Sequence, residues 1–161
     1  MRKLLIGLLL MAACTTRTTV TPPVTLPTGT PGTAGTAGAS GTTGSAAPRA
    51  ALDAFLSAIR AKDLQALGAV WGDKNGAIRD TKRISREEVE QRELLLMCYF
   101  SHESFKVLSD SPAAGGERVM SVTLTKGTLS RTTNFYLVSG ENRWYVRSAD
   151  VEPVRDLCSK K

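Results

Sequence analysis

The stretch Ala54-Phe55-Leu56-Ser57-Ala58-Ile59-Arg60-Ala61-Lys62-Asp63-Leu64-Gln65-Ala66-Leu67 contains the signals for two consecutive helices. Apolar residues around it recur at the i, i+3, i+4, i+7 spacing of an amphipathic helix: Leu52, Phe55, Leu56 and Ile59. Pro48 lies near the start of this helix, where proline is tolerated. Asp63 is a suitable N-cap for a second, shorter helix. The stretch therefore predicts that the folded domain opens with two helices.

A third helix and a run of strands follow. Ser85-Arg86-Glu87-Glu88 is a capping box, which predicts a helix continuing to Phe100. Between the second and third helices, residues 77–81 are compatible with a short edge strand. After residue 104, apolar and polar residues alternate in four runs separated by short Gly-containing turns, a pattern typical of an antiparallel meander. The predicted fold class is α+β, with N-terminal helices packed on one face of a curved antiparallel sheet.

The N-terminus has the features of an export signal. Arg2 and Lys3 precede the apolar run Leu4–Met11, which at about eight residues is far too short to span a bilayer. Leu10-Met11-Ala12-Ala13-Cys14 resembles a bacterial lipobox, with Met where leucine is usual. That resemblance implies cleavage after residue 13 and acylation of Cys14, which would anchor the protein stably to a membrane. The alternative is cleavage at a small-residue site that leaves Cys14 a free thiol.

Residues 14–47 are predicted to be the lipidated cysteine followed by a disordered tether. They are almost wholly Thr, Gly, Ala, Pro, Ser and Val, and such a segment cannot bury enough apolar surface to fold. Residues 48–161 have the length of a single domain. The net charge of +6 comes from scattered cations without the clustering typical of a nucleic-acid interface, so no nucleic-acid partner is expected.

The predicted domain resembles the nuclear transport factor 2-like family in two places. Ala54–Leu67 is similar to the opening helix, Asp break and second helix of those domains, and Asn142-Arg143-Trp144-Tyr145-Val146-Arg147 is similar to their last strand. The resemblance implies a cone-shaped domain in which a strongly bent sheet wraps around the helices and leaves a cavity at the open end. Many members are dimers, so a homodimer is one expectation for this chain.

Enzymes of this family, such as ketosteroid isomerases and polyketide cyclases, use Asp, His or Tyr inside the cone. The candidates in this chain are His102, Asp73 and Asp80, but all three lie in polar sequence. We therefore expect a surface or capping histidine and two solvated turn carboxylates, and we assign no catalytic residue. Apolar residues expected to face inward either fill a core or line an apolar pocket: Trp71, Met120, Val122, Leu124, Phe135, Leu137, Trp144 and Val146.

Cys98 and Cys158 are the remaining cysteines if Cys14 is acylated. In an exported chain a single remaining pair favours a disulfide. The alternative is a buried Cys98 and a loose Cys158. Two cysteines and one histidine without metal-ligand spacing predict no metal site, and no cofactor motif is present.

These patterns predict an extracytoplasmic lipoprotein held on a bacterial membrane, which is the outer membrane facing the periplasm if the host has two. Its domain would bind a small apolar ligand or an envelope protein without catalysis. The alternative is a small acid/base enzyme of the isomerase or cyclase kind that uses the cone pocket. A buried carboxylate or histidine in a pocket would favour the enzyme.

Overall fold

A computed structural model describes residues 42–159 of the chain. In this range, helices pack against a four-stranded antiparallel sheet, so the α+β class is confirmed. The predicted signal peptide, Cys14 and the tether up to residue 41 lie outside the described residues.

The helical part comes first in the described chain. Its helices are α1 (Pro48–Ala61), α2 (Leu64–Val70) and α3 (Arg86–Tyr99). Between α2 and α3, β1 (Gly72–Asp73) and β2 (Gly76–Ala77) form a separate two-stranded sheet. A 3-10 turn, Ile78–Asp80, then leads towards α3. The edge strand predicted at residues 77–81 is thus mostly 3-10 turn, because Thr81 bonds back to the Ile78 carbonyl through its amide and its hydroxyl.

The main sheet consists of β3 (Ser104–Pro112), β4 (Arg118–Lys126), β5 (Leu129–Gly140) and β6 (Arg143–Ala149), and a 3-10 helix, Glu152–Cys158, follows it. The strands lie in chain order and each pair is antiparallel, as in the predicted meander. In β3 the register shifts between Val107 and Ser109, which places a bulge at Leu108.

The predicted caps define where two helices begin. Asp63 Oδ1 accepts a hydrogen bond from the Ala66 amide at 2.9 Å and starts α2. Ser85 Oγ accepts one from the Glu88 amide at 3.2 Å and starts α3. Each cap satisfies an amide that the helix itself leaves without a partner.

The core lies between α1 and the sheet. α1 buries one continuous face: Ala51, Leu52, Phe55, Leu56, Ala58 and Ile59. Phe55 meets Phe100 and Phe135 with ring centroids 6.4 and 6.0 Å apart, and the last two rings are 5.1 Å apart. Three aromatic rings in mutual contact thus join α1, the end of α3 and β5.

The folded part begins before Pro48, where the composition had placed the end of the tether. Ser45 and Trp144 exchange two backbone hydrogen bonds, of 2.9 and 2.8 Å, and the Gly44 amide bonds to the Ala69 carbonyl at 2.7 Å. Gly44 has a φ of +69°, and a Cβ there would meet the Tyr145 ring at 2.7 Å. We call residues 43–45 the N-terminal strap. Composition could not reveal it, because its contacts come from β6, about 100 residues away in sequence.

A disulfide between Cys98 and Cys158 joins the end of α3 to the C-terminal 3-10 helix, with the two Cα atoms 4.6 Å apart. α3 buries Val89 and Glu93, and its partly buried Leu96, Met97 and Tyr99 pack against the core. Leu94 and Leu95 are 56% and 55% exposed. The disulfide adds a covalent link between α3 and the C-terminal segment.

Candidate functional site

The residues predicted to be core or pocket lining fall mainly into the core. Those from the strands are at most 1% exposed and belong to the main apolar cluster: Met120, Val122, Leu124, Phe135, Leu137 and Val146. Trp71 and Trp144 are partly buried at its margin. Trp71 also borders a shallow depression beside Asp73 and Ile78. Of the two predicted roles, filling a core or lining a pocket, the strand residues therefore have the first.

Asp73 and Asp80 occupy the polar positions expected of them. Asp73 pairs with Arg83 and accepts a hydrogen bond from the Asn75 amide at 2.7 Å. Burial acts to raise the pKa of Asp73, but the bonds from Arg83 and Asn75 outweigh it and hold the pKa below its usual range. The Asp80 carboxylate is 58% exposed and lies 3.7 Å from Arg79. Asp73 borders the shallow depression beside Trp71, and Asp80 lines a larger pocket next to α3.

A pocket of about 510 Å³ lies between α2, the Ile78–Asp80 turn and the first half of α3. Its volume is within the range of small-molecule sites. Apolar and charged side chains alternate around it: Leu64, Val89, Arg79, Lys82, Glu90 and Glu93. We call it the Glu93 pocket, because Glu93 is the lining residue whose environment is unusual.

Glu93 is 4% exposed, although a glutamate is ordinarily charged near neutral pH. Its pKa is raised to about 7, chiefly by burial, while the charge on Arg79 acts to lower the pKa and the charge on Glu90 acts to raise it. Within residues 42–159 no group donates a hydrogen bond to Glu93, and no cation lies within ion-pair distance of it. A buried carboxyl without a partner is costly, and near neutral pH it is divided between its two protonation states.

Gly68 makes room for this carboxyl. A Cβ on Gly68 would lie 2.5 Å from Glu93 Oε1 and 3.2 Å from Arg79 Cδ. Arg79 is itself held in place, because its Nη1 donates to the Gln65 carbonyl at 2.8 Å. A small residue on α2 and a fixed arginine thus define the space around Glu93.

The remaining charges of the pocket are mostly paired. Arg86 and Glu90 form an i, i+4 ion pair at 3.0 Å, and Arg79 faces Asp80. Lys82 has no ion-pair partner within the described chain, and its backbone is left-handed with a φ of +53°. The pocket therefore offers a carboxyl that can donate or accept a proton and a lysine that can contact an anionic group.

Glu93 was missed by the sequence analysis, although a signal exists. Glu93 follows Val89 by four residues and precedes Phe100 by seven, so it lies on the buried side of α3. A charge on an apolar helical face indicates an unusual environment. It was overlooked because Arg86–Glu90 and Glu88–Arg92 make α3 look like a solvated, ion-paired helix.

His102 is also placed differently from the prediction. It is 6% exposed and is therefore not a surface residue. Its ring packs edge-on against Phe105, with centroids 5.7 Å apart. The capping part of the prediction fits, since Nδ1 lies 2.8 Å from the Phe100 carbonyl just beyond the end of α3.

Residues 42–159 contain neither a membrane-spanning helix nor a metal-binding cluster. No helix there has the length and apolar character needed to cross a bilayer. No cluster of three or more His, Cys, Asp or Glu side chains there is arranged to hold a metal ion. Comparison with known families, with curated proteins and with solved structures found no match to this chain.

Proposed function

We propose that this protein is a lipid-anchored envelope protein whose domain binds a small ligand, without catalysis, in the Glu93 pocket. The observation that carries the binding proposal is the buried Glu93 carboxyl, which has no donor from the described chain and borders a pocket of about 510 Å³. A ligand that supplies a hydrogen-bond donor would offset the cost of burying this group.

The chemistry of the pocket defines the ligand class. An ammonium or amide N–H can bond to Glu93, and an anionic group can pair with Lys82 at the rim. Leu64 and Val89 supply apolar contact. A small molecule with an N–H donor, a short apolar body and an anionic group matches these features.

The test compares two glutamates of the same helix. Wild type, Glu93→Gln and Glu88→Gln are screened by ligand-observed NMR against small amines, amides and amino carboxylates; Glu88 lies on the same helix, pairs with Arg92 and does not line the pocket. We expect hits that bind wild type and Glu88→Gln equally and lose at least about tenfold in affinity to Glu93→Gln, because a charge-assisted bond is lost. Equal binding to all three proteins would exclude Glu93 as the recognition group.

A second function, acid/base catalysis, is favoured by the pKa of about 7 at Glu93. A general base with a pKa near the working pH transfers protons most effectively. The test is deuterium exchange at carbon atoms next to a ketone, for a panel of small ketones in D₂O. Exchange with wild type that disappears with Glu93→Gln and persists with Glu88→Gln would identify an enzyme, and its absence would favour the binding function.

The location and the finer fold are part of the same proposal. The lipobox resemblance at Cys14 supports an acyl anchor on the extracytoplasmic face of a bacterial membrane. The likeness to nuclear transport factor 2-like domains supports a bent sheet and a homodimer. Mass spectrometry of the mature protein tests the anchor, with an acylated peptide beginning at Cys14 as the expected result and an unmodified Cys14 as the contrary one.

A further inference from the structure

A second pocket, of about 370 Å³, lies where the end of α1 meets the second half of α3. Its apolar lining includes Ile59, Leu64, Leu94 and Met97. Leu94 is 56% exposed, so part of this apolar surface faces solvent. His102 also lines this pocket, which we call the His102 pocket.

The imidazole of His102 has a defined tautomer. Nδ1 lies 2.8 Å from the Phe100 carbonyl, and a carbonyl can only accept a hydrogen bond, so Nδ1 carries the proton. Burial lowers the pKa of His102 and outweighs the opposing effect of the hydrogen bond to the Phe100 carbonyl, and the charge on Arg60 lowers the pKa further, so the ring is neutral near pH 7. In a neutral ring protonated at Nδ1, the other nitrogen can only accept.

Nε2 of His102 is therefore an acceptor, and it is fully buried without a hydrogen-bond partner among residues 42–159. Buried polar atoms are almost always satisfied, and each exception needs an explanation. A hydroxyl or N–H group on a bound molecule would satisfy this one.

Two cations complete the lining. Arg60 and Lys62 line the His102 pocket, and neither forms an ion pair within the described chain. Arg60 is exposed, and so is Lys62. No carboxylate is among the residues that line the pocket, so its electrostatics favour an anionic group at the rim.

We propose that the His102 pocket binds a single-chain anionic amphiphile that carries a hydroxyl group. Its anionic end contacts Arg60 and Lys62, and its apolar chain packs on Leu94 and Met97. Its hydroxyl donates to His102 Nε2 once the side chains that cover this buried nitrogen move aside. This site is separate from the Glu93 pocket and does not depend on the function proposed there.

The probes are 10-hydroxydecanoate and decanoate, which differ only in the hydroxyl group. Binding is measured by titration calorimetry on the protein without its signal sequence and acyl group. We expect 10-hydroxydecanoate to bind about fivefold more tightly, as one neutral hydrogen bond allows. Equal affinities, or no binding of either probe at millimolar concentration, would overturn the proposal.

Three variants assign the contacts. His102→Asn keeps a donor near the position of Nδ1 and removes the Nε2 acceptor, so the difference between the probes should disappear. Arg60→Gln with Lys62→Gln should weaken both probes by about threefold at low salt, and Lys74→Gln, an exposed lysine away from the pocket, should change neither. A persistent preference for the hydroxyl in His102→Asn would contradict the assigned acceptor.

His102 is the only histidine of the chain, so its ring gives one set of ¹⁵N NMR signals. We expect a neutral ring protonated at Nδ1, and a shift of the Nε2 signal with 10-hydroxydecanoate that decanoate does not produce. This readout needs only the folded wild-type protein. A ring protonated at Nε2, or identical shifts with both probes, would contradict the proposal.

A lipid bilayer also presents anionic groups next to apolar chains. A vesicle experiment distinguishes binding of a free amphiphile from binding to a lipid surface. We expect the acyl-free protein to bind the free probe and not to sediment with phosphatidylglycerol vesicles. Sedimentation that is lost in Arg60→Gln with Lys62→Gln, together with no binding of free probe, would replace the pocket with a lipid-surface contact.

Discussion

Helices α1 and α3 have the same length, 14 residues, and opposite roles. α1 buries a continuous apolar face against the sheet, and its side chains are the centre of the core. α3 fully buries only Val89 and Glu93, packs Leu96 and Met97 partly against the core, and leaves Leu94 and Leu95 exposed.

Among the helices, the apolar core is built mainly on α1, whereas both pockets lie beside α3. Both the Glu93 pocket and the His102 pocket are bordered by α3, and Leu64 of α2 lines both. α1 uses its apolar residues for packing in the core. α3 leaves Leu94 and Leu95 exposed and places one buried carboxyl beside a pocket, and a disulfide and an N-cap help to fix its position.

The comparison is tested most strongly by truncating one side chain on each helix. Phe55→Ala removes a buried ring that contacts Phe100 and Phe135, and we expect a loss of about 3–5 kcal/mol in the free energy of unfolding. Leu95→Ala removes an exposed side chain and should change it by less than about 0.5 kcal/mol. Urea denaturation measures both, and similar losses would contradict the assigned roles.

The second prediction concerns the link that holds α3. The disulfide closes a loop of 60 residues, and its removal by Cys98→Ser with Cys158→Ser should cost about 2–4 kcal/mol. Reductant should lower the stability of wild type by a similar amount and leave the double variant unchanged. If urea midpoints of wild type do not respond to reductant, the bond does not stabilise the fold.

The third prediction concerns Glu93, whose pKa rises from 4.5 to about 7 on folding. Because the folded state holds this proton more tightly, stability should fall as pH rises from about 4.5 to 7 and then level off. Glu93→Gln should remove this slope and be more stable than wild type by about 1–3 kcal/mol at about pH 8, after allowance for solvent screening.

Glu88→Gln is the control for that experiment, because Glu88 is 44% exposed on the same helix and pairs with Arg92. Urea denaturation of the three proteins across the acid and neutral range gives the comparison. Parallel curves for wild type and Glu93→Gln would show that the carboxyl is not buried in solution.

The smallest expected effect is at the start of α3. Ser85→Ala removes the hydroxyl that accepts from the Glu88 amide and should cost about 1 kcal/mol. Ser85→Asp retains an acceptor and should restore most of the loss. At the corresponding position of α1, Ala47 forms no side-chain cap, so α1 has no capping hydrogen bond that a substitution there could remove.

Local patterns were sufficient for most of the fold. Asp63 and Ser85 cap helices where predicted, and the alternation in β4 predicted a strand with Met120, Val122 and Leu124 on its buried side. These features depend on neighbours within a few residues, which a sequence displays directly.

The candidate sites were not predictable in the same way. Glu93 is distinguished by Gly68 and Arg79 on other elements, and His102 by its burial against Phe105. The burial of a polar group depends on contacts between distant segments. The spacing of Glu93 from Val89 and Phe100 is a local signal, but the ion pairs on either side of Glu93 masked it, and polar residues are usually exposed.

The N-terminal strap has a mechanical consequence. The amide and the carbonyl of Ser45 both bond to the backbone of Trp144, and Arg143 donates to the Gly44 carbonyl at 2.7 Å. Tension applied to the chain before residue 42 therefore reaches the sheet first at β6. The start of α1 lies behind that attachment. A force on the chain before residue 42 would have to separate the strap from β6, an edge strand of the sheet, before it could unwind α1.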